Sequence, residues 1–251
     1  MEDEGNGVPI SSAQKQKSGP VSQTTTVLEA IRHDILHGVL APGLKLKIEL
    51  LQERYNSGAT PIREALSLLS ATGLVARIEN RGFRVALISI EHCMEVIWTR
   101  CFVEERAIRE AILHGGVAWE EKIVVAQYHL LRESDRQDAD DEAFRQWEKA
   151  HEEFHVALIS ACPSKSLLRF CAQLYNESNR YRYIGRLGRM SRAGAYEEHM
   201  KIADAALKRD GELAAALLVE HYRRTGELLK AHLEGAAQKP AVRPPLKSIK
   251  A

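Results

Sequence analysis

The sequence has little net charge and no long hydrophobic run. Its 35 basic side chains nearly balance its 34 acidic ones, so any contact with nucleic acid must come from a local basic patch. No apolar stretch approaches the roughly 20 residues that span a bilayer, which argues against a membrane protein. The first residues, MEDEGNGVPISS, lack the basic and then apolar order of a secretion signal. We therefore expect a cytoplasmic protein without a membrane partner.

Cysteine is scarce, and its spacing does not match the common redox and zinc motifs. The four cysteines form no C-x-x-C pair and lie at Cys93, Cys101, Cys162 and Cys171. Because cytoplasmic thiols normally stay reduced, we predict four small, buried, hydrophobic side chains rather than metal ligands or a redox switch.

The character of the sequence changes near Ser89. Residues 22–88 alternate short helical, turn and strand-like segments, whereas residues 89–235 repeat apolar residues at helical spacing. This pattern predicts a mainly α protein with a small mixed N-terminal domain and a C-terminal all-α bundle of about six helices. The polar composition of residues 1–21 predicts a disordered arm, and the prolines and basic side chains of 236–251 predict a flexible tail.

Helix breaks in the C-terminal half are marked by glycine, proline and small polar residues. We predict them at Gly115-Gly116, at 161–164, around 185–194 and at Asp210-Gly211.

The N-terminal half has the order of elements of a helix-turn-helix. A predicted helix from Thr24 to His37 stops at Gly38, and a second runs from Glu49 to Tyr55. After a short turn containing glycine, a third helix starts at Thr60-Pro61, where threonine can cap the helix and proline suits its first turn. Two short helices joined by such a turn predict a DNA-binding motif.

Two strand-like runs follow the third helix. Residues Val75 to Ile78 and Phe83 to Leu87 flank a tight turn, Glu79-Asn80-Arg81-Gly82. A helix-turn-helix followed by a hairpin is a winged helix. Its second motif helix would enter the major groove while the wing approaches the DNA backbone or the minor groove.

The segments APG, TPIREAL, GLV and NRGFRV occur in this order within about sixty residues. This stretch closely resembles the winged-helix domain of GntR-type bacterial regulators. The resemblance implies DNA-binding roles for five residues: Thr60, Pro61, Arg63, Arg81 and Gly82. Many relatives have Ser-Arg at Gly58-Ala59, and that difference puts the usual operator sequence in question.

The roles implied for two of these residues are chemically reasonable. Arg63 can pair with guanine or hold a phosphate, and Gly82 lets the wing backbone approach closely. The alternative for Arg63 is an ion pair within the protein.

Histidines mark the C-terminal half. His151 and His155 are four residues apart and therefore share one face of a helix, while His199 and His221 lie on separate predicted helices. Imidazole is the commonest protein ligand of borderline metals, and the pair on one helix face gives two imidazoles a convergent approach, so a metal site is one interpretation. The alternative is that these histidines are ordinary, partly exposed surface residues. The string HEEFH also fits the H-E-x-x-H motif of zinc proteases, with Glu152 as general base, which leaves a metal-dependent hydrolase as an alternative.

The segment from about 91 to 234 resembles the helical ligand-binding domain of the FadR branch of these regulators, called the FCD domain. Many members hold a metal with one Asp and three His, the Asp and first His being spaced as D-x-x-F-H. Here Phe154-His155 matches the motif, and His151 replaces the Asp. The resemblance implies a site of His151, His155, His199 and His221 that holds a divalent metal, zinc first, with nickel or manganese as alternatives.

Two segments of this half resemble the carbon-starvation-induced regulator group, whose members respond to small acids. The segments are HEEFHVALISACPSKSLLRF and LYNESNRYR. Arg100 matches the family position of an arginine that completes the charge around an effector carboxylate, and Arg180 is a second candidate for the pocket. The alternative for Arg100 is a surface ion pair with Glu104.

Together these observations predict a transcription regulator and not an enzyme. We expect a homodimer that binds a palindromic operator, represses transcription and is released by a small organic acid. Its location would be the cytoplasm, on the nucleoid. A constitutive DNA-binding dimer without a ligand is a further alternative.

Overall fold

The computed structural model describes residues 22–78, 81–135, 141–185 and 192–237. The arm predicted at 1–21 lies outside these ranges. Of the tail predicted at 236–251, only residues 236 and 237 are described, and they form the end of the last helix. No helix in the described ranges is long and apolar enough to cross a membrane.

The N-terminal half consists of three helices and a small sheet. Its elements are α1 (Gln23–Leu36), β1 (Lys45–Leu46), α2 (Ile48–Tyr55), α3 (Ala59–Ala71), β2 (Val75–Ile78) and β3 (Gly82–Val85). The sheet is antiparallel in the order β1-β3-β2, with Leu46 opposite Phe83 and Val75 opposite Val85. This arrangement confirms the winged helix. The two-residue strand β1 was not predicted, and β3 begins one residue earlier and ends two residues earlier than expected.

The end of α1 was predicted correctly from the sequence, whereas the start of α3 was not. Gly38 has φ of 72° just beyond α1, in the left-handed conformation expected of a glycine at that position. Thr60 was wrongly predicted to cap α3. The backbone oxygen of Gly58 already accepts from the Ile62 N–H, so the helix begins at Ala59 and Thr60 is its second residue.

A compact apolar core joins the helices of this half. Ile31, Ile62 and Leu66 are completely buried in it. At its edge, the Asp34 carboxylate of α1 accepts hydrogen bonds from Arg54 and Tyr55 at the end of α2. Burial alone would raise the pKa of Asp34, but these hydrogen bonds outweigh it and the pKa is lowered. Asp34 thereby ties the end of α2 to α1.

The C-terminal half is a helical bundle, as predicted. Its described residues form six helices: α4 (Ile90–His114), α5 (Val117–Ser134), α6 (Asp141–Ile159), α7 (Lys165–Gly185), α8 (Arg192–Leu207) and α9 (Gly211–Ala237). The breaks fall where expected, except that α8 already begins at Arg192 and includes Gly194. The break between α5 and α6 was not predicted.

The two longest helices, α4 and α9, pack along each other, and α5, α6, α7 and α8 complete a continuous apolar core. All four cysteines are free thiols, and they are buried, as predicted. Burial raises the pKa of Cys93 to about 11 and that of Cys171 to about 12, so both remain thiols at neutral pH.

Helix α7 also contacts the N-terminal half. Asn176 accepts a hydrogen bond from Arg32 of α1, and the ring of Tyr183 lies 4.2 Å from that of His37. Arg180 donates to the backbone oxygen of Ala86, which directly follows the wing strand. Thus α7 is shared between the core of the bundle and the surface of the winged helix.

Candidate functional site

The structure brings the four predicted histidines together at the centre of the bundle. His151 and His155 come from successive turns of α6, His199 from α8 and His221 from α9. All four are buried, and one ligand atom from each lies within 4.8 Å of the others. Three helices supply the four histidines, because His151 and His155 are four residues apart and share one face of α6.

Oxygen atoms behind the histidines orient two of the rings. The hydroxyl of Tyr222 donates to Glu104 and lies 3.0 Å from Nδ1 of His155, so its oxygen accepts the Nδ1 proton. Nδ1 of His221 lies 3.0 Å from a carboxylate oxygen of Glu198. With the proton on Nδ1, the Nε2 lone pair of each ring is free to bind a metal, as in many metalloproteins.

The distance between ligand atoms suits a metal ion. Nε2 of His155 and Nε2 of His151 are 3.1 Å apart. Two nitrogens that bind one zinc ion at 2.0–2.1 Å in a tetrahedral arrangement lie about 3.3 Å apart. The residues present therefore fit a divalent metal, which would be held by four imidazoles and would supply a positive charge for binding an anion.

Burial favours the neutral form of three of the four imidazoles, those of His151, His155 and His221. It lowers the pKa of His151 and His155 well below the ordinary value, and nearby cations, Arg182 at His151 above all, lower that of His151 further. Burial also lowers the pKa of His221, against the opposing effect of Glu198. Neutral imidazoles bind metals, but they bring no negative charge to balance a divalent cation.

Arg100 lies beside the histidines and is not on the surface. Its Nε donates to Glu104 at 2.7 Å and its Nη1 to Ser178 at 3.1 Å, while the side chain is only 2% exposed. Its buried Nη2 has no hydrogen-bond partner among the described residues. The alternative of a surface ion pair is therefore wrong about the location, although the pair with Glu104 exists. A buried, unpaired guanidinium nitrogen is suited to a carboxylate.

The second arginine of the site is Arg182, which the sequence analysis missed. Its guanidinium donates to the buried carboxylate of Glu148 at 2.8 Å and lies 3.3 Å from Nε2 of His151. The predicted Arg180 instead donates to Ala86, away from the histidines. The spacing of the inward-facing residues on α7, Tyr175, Ser178 and Arg182, follows a helical period and would have favoured Arg182 over Arg180.

The predicted DNA-binding residues lie on one helix and on the wing. Thr60 and Arg63 are exposed on α3, and Pro61 is half-buried there. Arg63 has no ion-pair partner among the residues that the structure describes. The alternative, in which Arg63 forms an ion pair within the protein, therefore has no support there. Arg81 is exposed at the start of the wing strand, and Gly82 has φ of 88°, a conformation that favours glycine. Residues 79 and 80 of the predicted turn lie outside the described ranges.

A winged helix joined to a helical bundle with a buried polar centre defines a DNA-binding regulator with a sensor domain. Comparison with known families agrees. The family model "Bacterial regulatory proteins, gntR family" matches residues 23–85, and the model "FCD domain" matches residues 95–224. The chain belongs to the GntR family of bacterial transcription regulators, in the FadR-like branch that has an FCD domain.

Individual relatives support this assignment. The chain is 37% identical over 223 residues to the "Uncharacterized HTH-type transcriptional regulator BphR" of Paraburkholderia xenovorans, and the matched region covers 86% of each chain. It is 33% identical over 195 residues to the "HTH-type transcriptional repressor GlaR" of Escherichia coli, and the matched region covers 76% of this chain and 88% of that one. The solved structure of E. coli McbR/YncC shares the fold, with a TM-score of 0.72 and 19% identity over 85% of this chain and 100% of that one.

The comparisons also exclude the alternative that the protein is a metal-dependent hydrolase. The family and the relatives are transcriptional regulators, not enzymes, so HEEFH is not a protease motif here. In the structure both histidines of the string belong to the four-histidine cluster, whereas Glu152 is not part of it. The main electrostatic partner of Glu152 is Arg32 of α1.

Replacing His155 and His199 together with alanine tests the metal site. Zinc at about 1000 times its Kd should stabilise the wild-type protein by about 4 kcal/mol, or about 10 °C in Tm. The double variant should lose the bound metal and this zinc-dependent rise, as measured by elemental analysis and thermal unfolding. His129→Ala, an exposed histidine on α5, serves as control and should keep both. Retention of one equivalent of zinc by the double variant would contradict the assignment.

Proposed function

We propose that this protein is a homodimeric repressor whose DNA affinity is lowered by a small carboxylate bound at a metal in the helical half. Residues 22–88 form the DNA-binding domain and residues 89–235 the sensor and dimerisation domain. The protein acts in the cytoplasm, on the nucleoid. The relative GlaR is named a repressor, which supports repression over activation for this protein.

One observation carries the ligand proposal, namely the surplus of positive charge that a metal would bring to the histidine cluster. The two arginines at the site are already neutralised, Arg100 by Glu104 and Arg182 by Glu148. Imidazole ligands carry no negative charge, so both charges of a divalent cation held by the four histidines stay unbalanced. A carboxylate balances them, and Nη2 of Arg100 offers it a hydrogen bond. Zinc is our first choice of metal, followed by nickel and manganese.

DNA recognition is assigned to α3 and the wing. The exposed N-terminal turn of α3 presents Thr60, Pro61 and Arg63, which suits entry into the major groove. Arg81 and Gly82 would bring the wing to the phosphate backbone or the minor groove. With Gly58-Ala59 at the start of the helix, this chain has no basic side chain at that point, so Arg63 is the main candidate for reading a base.

An exposed apolar face on α4 and α9 is suited to dimerisation. Trp98 and Phe102 are more than 70% exposed on successive turns of α4, with their rings stacked 6.4 Å apart. They border a groove of about 330 Å³ that Val219 of α9 also lines. Exposed aromatic pairs of this kind mark protein interfaces, and a two-fold dimer matches a palindromic operator.

Helix α7 offers a physical connection between ligand and DNA. Tyr175 and Arg182 contact the histidine cluster, and on the same helix Asn176 and Tyr183 contact α1 of the winged helix. An anion near His151 would compete with Glu148 for Arg182. We infer that the resulting adjustment of α7 changes the relative placement of the two DNA-reading helices of the dimer.

Arg63→Ala tests the DNA-reading role. In fluorescence anisotropy with DNA from upstream of the protein's own gene, the variant should bind less tightly by about 1–3 kcal/mol, which is about 5–150-fold. Its affinity for unrelated DNA should change far less. Arg169→Ala, at an exposed arginine near the start of α7, is the control and should bind as wild type. Equal losses on both DNAs would mean that Arg63 holds a phosphate and reads no base.

The double substitution Trp98→Glu and Phe102→Glu tests the dimer. Placing two carboxylates on the apolar face should convert the protein to monomer in analytical ultracentrifugation, because like charges would meet across the two-fold axis. Val124→Glu, at an exposed valine of α5, should leave the dimer intact. A double variant that remains dimeric would place the interface on another surface.

Asn176→Ala tests the connection through α7. The variant loses the hydrogen bond from Arg32 but leaves the histidine cluster unchanged. It should bind metal, carboxylate and DNA separately, while the fall in DNA affinity caused by the carboxylate should shrink from the 5–150-fold range typical of allostery toward none. The measurement is DNA binding with and without acetate on zinc-loaded protein. A wild-type protein that shows no such change would instead support a constitutive dimer.

A further inference from the structure

An apolar cavity adjoins the histidine cluster on the side of α6 and α7. Its volume is about 180 Å³. The inner end is formed by Glu104, His155 and Tyr175, which belong to the polar centre already described. The rest is lined mainly by hydrophobic side chains, namely Val156, Ile159, Leu168, Cys171 and Ala172. His155 belongs to both, so the cavity lies directly against the metal site.

The polar groups of the cavity are already engaged. Glu104 accepts hydrogen bonds from Arg100 and Tyr222, and the hydroxyl of Ser160 donates to the backbone oxygen of Ala157. The hydroxyl of Tyr175 faces Nδ1 of His151. A hydroxylated ligand body would therefore lose its hydration here without gaining equivalent hydrogen bonds, which is unfavourable.

The size and charge of the cavity restrict its occupant further. A dry cavity of about 150 Å³ holds a benzene molecule, so this one accommodates a ring or branched chain of about six to eight carbon atoms. A second carboxylate in the cavity would lie beside the Glu104 carboxylate, whose charge is balanced by Arg100 alone. Like charges in a buried site repel strongly, and this disfavours dicarboxylates.

We propose that the effector is a compact monocarboxylate with an apolar body, aromatic, alicyclic or branched, whose carboxylate lies at the histidine cluster and whose body fills this cavity. The proposal rests on the proposed function, since the carboxylate is placed at the metal. Exposed Ala172 lies at the mouth of the cavity, so the ligand would enter between α6 and α7.

Calorimetric titration of the zinc-loaded, full-length protein tests this proposal with two monocarboxylates built on a six-membered ring. Cyclohexanecarboxylate has an apolar body, and shikimate carries three hydroxyl groups. We expect cyclohexanecarboxylate to bind at least about tenfold more tightly than shikimate, because the cavity cannot replace the water around the hydroxyl groups. It should also bind more tightly than acetate, which has the carboxylate but lacks the body, and than the dicarboxylate glutarate.

Two neighbouring substitutions on α7 locate the binding. Ala172→Trp should fill the mouth of the cavity and remove the advantage of cyclohexanecarboxylate over acetate, with zinc content and acetate affinity unchanged. Gln173→Trp, at an exposed residue that does not line the cavity, should bind all four acids as wild type. An unchanged preference in Ala172→Trp would overturn the placement of the body.

The outcomes separate this proposal from the one on which it rests. Equal affinity for cyclohexanecarboxylate and shikimate, with both bound only in the presence of zinc, would overturn the apolar class and leave the carboxylate site in place. Tighter binding of glutarate would also overturn it. Failure of every carboxylate to bind zinc-loaded protein would overturn both proposals together.

Discussion

Burial of polar groups at one point of a helical bundle is the constraint on which the rest of the structure depends. Four imidazoles, two arginines and two glutamates lie within the core formed by α4, α6, α7, α8 and α9. Unpaired polar groups are costly there, so each helix must hold its side chains in register with those of its neighbours. Pairs such as Arg100–Glu104 and Arg182–Glu148 meet this requirement for the arginines. The buried Nη2 of Arg100, which has no hydrogen-bond partner among the described residues, marks where a ligand belongs.

The replacement of aspartate by His151 changes the charge of this centre while keeping its geometry. The resemblance to the FadR branch implies a site with one carboxylate, and here all four candidate ligands are imidazoles, which bring no negative charge. At an effective dielectric constant of about 20, opposite unit charges 4 Å apart attract by about 4 kcal/mol. An anion at a divalent metal would therefore gain more in this chain than at a site that contains an aspartate. Metal and carboxylate should each strengthen the binding of the other, since coupling between sites is reciprocal.

Local sequence signals predicted much of this structure, and long-range contacts account for what they missed. Gly38 ends α1 because a left-handed residue is needed there, and the spacing of His151 and His155 places both on one face of α6. The start of α3 was misplaced because Gly58, without a capping side chain, precedes it. Arg182 was missed because its partner Glu148 is 34 residues away on another helix. The two-residue strand β1 is likewise defined only by its pairing with β3.

The central claim is that four imidazoles bind one metal ion and leave it open to an anion. X-ray absorption spectroscopy at the zinc edge of the loaded protein tests it most directly. We predict the multiple-scattering signature of four imidazoles at 2.0–2.1 Å, the range found for zinc–histidine bonds, and one additional oxygen when cyclohexanecarboxylate is added. A spectrum with three imidazoles or fewer would contradict the role of His151. A spectrum unchanged by the carboxylate would contradict binding of the anion at the metal.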